Sequence, residues 1–204
     1  MTDMMIQPDD VVGRVLRAST RGFTCGTHST TLDYRHDFGA FVKVPIANDS
    51  GVVVIGAVYA VEIKDDLLVN ELVMAESVDP NILRDQRENR MIPVEISVLN
   101  IGYGVGDSFR HSLPPRPPMS LTQVQLCTAD EVYFFTQKQD FFRLVINAAE
   151  VPTDDLLASM LRYAAQAYQP EDRYDFLVHC GRQLARLLSN DMQRLSSVLA
   201  LIRP

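Results

Sequence analysis

Cysteine is scarce in this chain, with three residues among 204, at Cys25, Cys127 and Cys180. An odd number of widely spaced cysteines is not the pattern of a small secreted domain held together by disulfides. The N-terminal segment MTDMMIQPDD is acidic and has no apolar core of the kind found in signal peptides. We therefore predict a cytoplasmic protein.

Long hydrophobic runs and excess basic charge are also missing. The most apolar window, GVVVIGAVYAVEI at 51–63, is shorter than the roughly 20 residues of a membrane-spanning helix. There are 19 Lys and Arg against 26 Asp and Glu, a formal net charge of −7. This balance argues against chain-wide electrostatic attraction to nucleic acid or to an anionic membrane. Direct nucleic-acid binding would need a local basic patch.

A phosphate-binding loop is absent as well. Such a loop needs a lysine and a hydroxyl residue at the turn into a helix whose N-terminus faces the anion. The glycine-rich stretch GYGVGDSFR, residues 102–110, has no lysine, places Asp107 where it would repel phosphate, and leads into prolines. We interpret it as a strand exit or bulge, and we expect no cofactor.

Metal and nucleophile chemistry have little support in the sequence. Cys25 and His28, with His36 further on, form a cysteine and histidine cluster, but a structural zinc site needs four ligands, usually as two close pairs. Cys127 and Cys180 lie in apolar runs and are predicted to be small core residues. We therefore expect no metal site, no catalytic residue and no enzymatic activity.

One acidic segment keeps an enzymatic alternative open. Residues 62–76 carry carboxylates that a metal-dependent enzyme or a nuclease-like accessory protein could use. No ligand spacing supports that reading, so we prefer to interpret the segment as a solvated acidic loop. The carboxylates are those of Glu62, Asp65, Asp66, Glu71 and Glu76.

The first two thirds of the chain are rich in predicted strands. Short β-branched runs recur between Gly, Asn, Asp and Pro residues. A weaker strand starting at Phe23 has Thr and Ser residues that suit an exposed or edge position, and residues 48–51 (NDSG) predict a hairpin turn. We expect a small antiparallel β-barrel over 10–145, with a surface excursion and short helix inserted at 65–90.

The last quarter of the chain, 152–204, has a different pattern of apolar residues and predicts a helical annex. Apolar residues recur there at helical spacing, with Thr153 as the expected N-cap of the first helix. Pro170 precedes the second helix, and a break near Ser189 and Asn190 separates a third. The predicted fold class is therefore α+β, a barrel followed by two or three helices.

Three segments of the predicted barrel share a pattern with a known family. They are VVGRVLRAS, DFGAFVKVPIANDSGVVVIGAVYAVEI and VEISVLNIGYGVGDSFRHSLPPRPPMSLTQVQLCTADEV. This pattern resembles the HAS barrel, the small N-terminal β-barrel of HerA-type hexameric DNA-translocating ATPases and of rotary ATP synthase subunits. In that family a glycine opens a barrel strand, as Gly39 would here, and a hairpin leads to a second glycine, as at Gly56. A proline-rich segment then precedes a strand and an acidic helix start, as at 114–131.

The resemblance covers roughly residues 10–135 and implies an assembly role. HAS-barrel ATPases continue into a RecA-like core with a lysine-bearing phosphate loop, and this chain has no such loop. We therefore expect a non-catalytic adaptor or assembly protein that self-associates or binds a protein partner, such as a ring-forming DNA-processing ATPase. Besides the metal-dependent enzyme, a small nucleic-acid-binding barrel is the other alternative.

The annex predicts where such a contact would lie. Its second and third helices carry apolar residues on more faces than one stripe against a small barrel would cover. We predict that residues 171–202 contact another subunit or a partner protein; the alternative is that they pack only within the chain. The interaction residues expected are Phe176, Leu177, Leu184, Leu187, Leu188, Leu195 and Leu199.

Overall fold

The structure, a computed structural model, describes residues 10–29, 32–47, 51–64, 74, 92–106, 108–149 and 151–203. In this part of the chain a closed six-stranded antiparallel β-barrel is followed by five α-helices, which confirms the predicted α+β class. The predicted excursion at 65–90 lies outside the described residues except for Met74. The acidic segment is described only at 62–64 and 74.

Six strands close the barrel, and a seventh short strand pairs with the end of one of them. Neighbouring strands around the barrel follow the order β1-β7-β3-β4-β5-β2 and return to β1, every pair being antiparallel. The strands are β1 (Val11–Ala18), β2 (Gly22–Ser29), β3 (Phe41–Pro45), β4 (Val52–Ile63), β5 (Ile92–Val105), the short β6 (Ser108–Arg110) and β7 (Gln123–Leu126).

Strand β2 corrects one sequence expectation. Its Thr and Ser residues indicated an edge position, yet β2 pairs with β1 on one side and with β5 on the other, from Gly22 opposite Leu99 to Ser29 opposite Ile92. Closure of the barrel removes the edge, and a strand paired on both sides tolerates threonine as readily as other β-branched residues. Phe23 and Cys25 point into the barrel and are buried.

Apolar residues fill the barrel and also cover part of its outer surface. The barrel interior is dominated by valine, and successive strand residues alternate between this interior and the outside. The interior residues are Val12, Val15, Phe23, Cys25, Ala40, Val42, Val44, Ile46, Val54, Val58, Val94, Ile96, Val98 and Val124. Outward residues of β3, β4 and β5, among them Phe41, Ile55 and Ile101, belong to a second core shared with the helices.

Two glycines allow close packing where the family resemblance placed them. Gly39 has φ +88°, and a Cβ there would lie 2.8 Å from Ser159 Cβ and 2.9 Å from the Met160 nitrogen. At Gly56, a Cβ would lie 2.3 Å from Val98 Cγ1, next to a bulge in the pairing of β4 with β5. Both positions therefore exclude a side chain for steric reasons.

Five helices follow the barrel. They are α1 (Ala129–Thr136), α2 (Phe142–Ile146), α3 (Thr153–Ala165), α4 (Arg173–Leu187) and α5 (Met192–Leu201). Thr128 and Glu131 form a capping box at the start of α1, where the sequence predicted an acidic helix start. Leu156, Leu157, Met160 and Leu161 of α3 are fully buried, which places this helix in the centre of the outer core.

The start of α3 corrects a second expectation. Thr153 was expected to cap the helix, but it is the first helical residue, and Pro152 at the N-cap position has no side-chain cap. Thr153 Oγ1 instead accepts a hydrogen bond of 2.7 Å from Arg194 of α5, whose Nε donates to Asp154 Oδ1 at 2.7 Å. The polar residues at this helix end hold α5 against α3.

The glycine-rich stretch forms a hairpin. Strand β5 runs to Val105, and β6 pairs back on it with Tyr103 opposite Arg110 and Val105 opposite Ser108. Gly106 has φ +57° at the turn, while Asp107 lies outside the described residues. The prediction of a strand exit is confirmed, because β5 ends at Val105, Gly106 lies at the turn, and β6 follows in place of a helix.

Candidate functional site

The predicted interaction residues of the annex lie mainly inside the chain. Five of them, Phe176, Leu177, Leu184, Leu188 and Leu195, are buried in the outer core. Leu199 is partly buried against the same core, and a Cβ on Gly181 of α4 would lie 3.2 Å from its Cδ2. Leu187 is the exception, with half of its surface exposed. The prediction that residues 171–202 form a contact remains a prediction, with Leu187 as the member that a partner could reach.

An aromatic patch that sequence reasoning missed lies on α1 and on the segment after α3. We define it as Tyr133, Phe134 and Tyr168. The Tyr133 ring lies 5.4 Å from the ring of Phe134 and 4.9 Å from that of Tyr168, centroid to centroid. Phe134 is 63% exposed.

The aromatic patch is fixed to the chain by Tyr168. Its ring stacks on buried Phe176 of α4, with centroids 4.2 Å apart. Its hydroxyl lies 3.0 Å from Thr136 Oγ1 and accepts from Gln137 Nε2 at 3.3 Å. Burial raises the pKa of Tyr168 to about 12, so the hydroxyl stays protonated at neutral pH. Tyr168 therefore connects the patch on α1 to α4.

The cysteines and histidines do not assemble into a metal centre within the described residues. No group of three or more His, Cys, Asp or Glu side chains there could hold a metal ion. Cys25 points into the barrel interior, and burial raises the pKa of its thiol to about 12. His36 is buried at the end of a short 3₁₀ turn (Tyr34–His36), where its Nδ1 accepts from the backbone N–H of Asp33 at 3.3 Å. The His28 side chain lies outside the described residues.

The other two cysteines are core residues, as predicted. Cys127 and Cys180 are both buried in the outer core. Burial raises the pKa of each thiol, to about 12 for Cys180. Thiols held in this protonated state are poor nucleophiles and poor metal ligands.

The proline-rich connection between β6 and β7 is part of the fold. Pro114 and Pro118 are buried, whereas Pro115 and Arg116 between them are exposed. The segment ends at Leu121, which adopts φ +68° and donates from its backbone N–H to Val15 O at 2.8 Å. Burial of two prolines leaves little of the segment free to dock as a polyproline ligand.

A cleft of about 710 Å³ opens at one end of the barrel. Its walls come from the turn between β1 and β2, from residues 97–100 of β5, and from residues 143–149 and 151 on and after α2. Tyr59 and Leu113 complete the lining. A volume of this size lies within the range of about 300–1,000 Å³ that is typical of small-molecule sites.

Asn100 holds the turn that forms one wall of this cleft. Its side chain is fully buried, and its Nδ2 donates to Ser19 O at 3.3 Å and to Thr20 O at 3.1 Å. Its backbone N–H donates to Arg21 O at 2.9 Å. Three consecutive carbonyls of the turn therefore accept hydrogen bonds from one residue of β5.

Ser19 fixes the same turn from within. Its Oγ accepts from the backbone N–H groups of Arg21 at 3.1 Å and Gly22 at 3.3 Å, and its own N–H donates to Gly22 O at 2.8 Å. The backbone of Arg21 is therefore held by Ser19 from within the turn and by Asn100 from β5.

Three arginines line the cleft in different settings. Arg17 donates to Glu95 Oε1 at 2.6 Å, which neutralises its charge. Arg143 donates to the carbonyl of His111 at 2.8 Å and so keeps its positive charge. The Arg21 guanidinium has no hydrogen bond or ion pair with any described residue and is exposed. Sequence reasoning missed this site because Arg21 and Arg143 lie far apart in the chain and match no motif.

Comparison with known proteins adds no family assignment. A scan against protein-family models gave no match, and a search of curated proteins found no relative.

None of the helices in the described ranges has the length and apolar character required to span a membrane.

Proposed function

We propose that this protein is a non-catalytic adaptor or assembly protein that binds a protein partner through the aromatic patch and the adjoining face of α4. The observation that carries the proposal is Phe134, a large apolar side chain that is 63% exposed and lies against the ring of Tyr133. Tyrosine and phenylalanine are enriched at the centres of protein interfaces, where they supply contact area at low entropic cost.

Leu187 extends this surface toward the predicted annex contact. It lies at the C-terminal end of α4 and is half exposed, beside Gln137, Lys138 and Arg186 in a shallow groove of about 320 Å³. An apolar centre with a polar, charged rim is the usual anatomy of a non-obligate protein interface. The mixed charges of the rim favour a protein partner over a uniformly anionic surface.

The partner class comes from the family resemblance. A closed antiparallel barrel with close-packed glycines at Gly39 and Gly56 supports a HAS-like assembly module, and such modules contact neighbouring subunits of ring ATPases. A ring-forming DNA-processing ATPase is therefore the partner we propose to test first, with self-association of the chain as the other form of the same assembly role.

Sedimentation velocity on the full chain tests the proposal, alone over a range of micromolar concentrations and mixed with a HerA-type ATPase from the same genome. We expect a dimer or a mixed complex that Phe134→Gln together with Leu187→Gln weakens at least tenfold, as for central interface residues. Met119→Gln is the matched control, because Met119 is equally exposed, at 66%, and lies in the proline-rich connection. A monomer that forms no mixed complex, or equal assembly by all variants, would contradict the proposal.

A further inference from the structure

The cleft at the barrel end is basic in an acidic protein. Among its described lining residues there are three arginines and no aspartate or glutamate, although the whole chain carries a formal net charge of −7. Glu150 adjoins the lining in sequence and lies outside the described residues. Because Glu95 neutralises Arg17, the free positive charges are those of Arg21 and Arg143.

Arg21, the unpaired arginine, lies on a turn whose backbone is held by many hydrogen bonds. Ser19 and Asn100 together make seven hydrogen bonds with the backbone groups of residues 19–22. A guanidinium on a fixed backbone loses less entropy when it binds an oxyanion than one on a free loop. This rigid support distinguishes Arg21 from an ordinary solvated surface arginine.

The rest of the cleft favours an occupant with an apolar body. Leu99, Leu113, Leu144 and Val151 contribute apolar wall, and Tyr59 contributes a ring. Two lining residues also hold buried oxygens without a hydrogen-bond partner, Oγ1 of Thr24 and Oδ1 of Asn100. The Asn100 amide is oriented by its two Nδ2 hydrogen bonds, so its oxygen is left as a pure acceptor.

We propose that this cleft binds a small organic anion whose phosphate or carboxylate group pairs with Arg21 and Arg143, and whose apolar or aromatic body lies against the wall formed by Leu99 and Leu113. Guanidinium groups bind both oxyanions through paired, charge-assisted hydrogen bonds. The cleft volume of about 710 Å³ is in the range typical of small-molecule sites. The site is separate from the aromatic patch. Arg143 also lines the groove beside Leu187, whereas Arg21 lines only the cleft, so Arg21 tests the cleft independently of the proposed assembly role.

Backbone amide NMR titrations of the full chain test this proposal. The probes are phenyl phosphate and benzoate, with phenol as the uncharged match of phenyl phosphate. We expect saturable shifts at Arg21, Gly22 and residues 143–149 with at least one anion, and at least tenfold weaker binding of phenol. The phosphate and carboxylate arms identify the head group that the site prefers.

Three variants separate a specific site from general charge. Arg21→Gln and Arg143→Gln should each weaken the anion about tenfold, the usual effect of losing one charge-assisted hydrogen bond. Arg182→Gln is the matched control, because Arg182 is exposed on α4 and outside the cleft, and should leave affinity unchanged. A single-stranded oligothymidine forms a further arm of the titration.

Several outcomes would overturn the proposal. One is the absence of localised shifts with both anions; another is equal binding of phenol; a third is equal weakening by all three variants. Tight binding of oligothymidine that Arg21→Gln abolishes, without binding of either small anion, would replace the small-molecule site by a nucleic-acid contact.

Discussion

Lys43 Nζ on β3 lies 2.6 Å from Oε1 of Glu131 on α1, and Oε2 of the same carboxylate accepts from the backbone N–H of Thr128 at 2.7 Å. One side chain thus caps a helix and ties that helix to the barrel. Both partners are only partly exposed, 15% for Lys43 and 31% for Glu131, so the pair is less screened than a fully solvated one.

The first prediction separates these two functions of Glu131. Glu131→Gln removes the ion pair but keeps a capping-box side chain, so we expect a loss of about 1 kcal/mol in the free energy of unfolding. Glu131→Ala removes the cap as well and should cost about 1 kcal/mol more. Urea denaturation of both variants, with Lys43→Met and the double variant Lys43→Met, Glu131→Gln, measures the coupling. Equal stability of the Gln and Ala variants would show that the cap contributes nothing.

The second prediction concerns Gly39, where the chain approaches α3. A Cβ at this position would meet Ser159 and the backbone of Met160, and φ is positive. We expect Gly39→Ala to lower the free energy of unfolding by about 3 kcal/mol or more, because it adds both backbone strain and overpacking. Gly51→Ala is the control, because Gly51 also has positive φ, +62°, but nothing lies within 4 Å of its Cβ position. Gly51→Ala should lower the free energy of unfolding by only about 1 kcal/mol. Similar losses in Gly39→Ala and Gly51→Ala would contradict the steric argument.

The third prediction concerns the three buried thiols. With pKa values raised to about 12 for Cys25 and Cys180, the thiolate fraction at slightly alkaline pH is on the order of one part in ten thousand. A thiol-specific chromogenic reagent should therefore label none of the three in the folded protein and all three in denaturant. Fast labelling of one cysteine in the folded chain would show that its surroundings open to solvent.

Much of the barrel could be predicted from the sequence, because β-branched runs and turn residues are local signals. Closure could not, since the pairing of β2 with β5 joins segments far apart in the chain. This is why Thr24 and its neighbours indicated an edge strand. The leucines of the annex indicated surplus apolar surface, and α3, α4 and α5 pack around one another and bury residues such as Leu184 and Leu195 on several faces.

The candidate sites could be predicted less well, for the same reason. The cleft unites Arg21, Asn100 and Arg143, which no spacing rule connects. The exposure of Phe134 depends on which face of α1 meets the core, where Val132 and Phe135 are buried. A helix of eight residues that is apolar on most of its surface does not reveal that choice from its sequence alone.

The last prediction is a pH dependence that arises from His111. Its Nε2 lies 3.0 Å from the carbonyl oxygen of Phe135, which can only accept, so the neutral ring carries its proton on Nε2. Burial lowers the pKa of His111 below its ordinary 6.5 and outweighs the hydrogen bond to Phe135 and the charge of Asp140, which raise it; Lys138 and Arg143 act in the same direction as burial. The unfolded chain therefore binds the extra proton first, and the stabilisation is complete above pH 6.5 and is lost as the pH falls toward the lowered folded pKa.

His111→Gln tests this dependence, because glutamine keeps an N–H donor for Phe135 O without a titratable ring. The free energy of unfolding of the native protein should decrease as the pH falls just below 6.5, and the variant should show a shallower slope there. Urea denaturation at closely spaced pH values measures both slopes above the range in which carboxylates titrate. Removing the neighbouring Arg143 cation raises the pKa of the folded histidine toward its unfolded value, so the same series on Arg143→Gln should show a shallower slope than the native protein. Identical slopes in the native protein and in His111→Gln would exclude His111 as the source of the pH dependence.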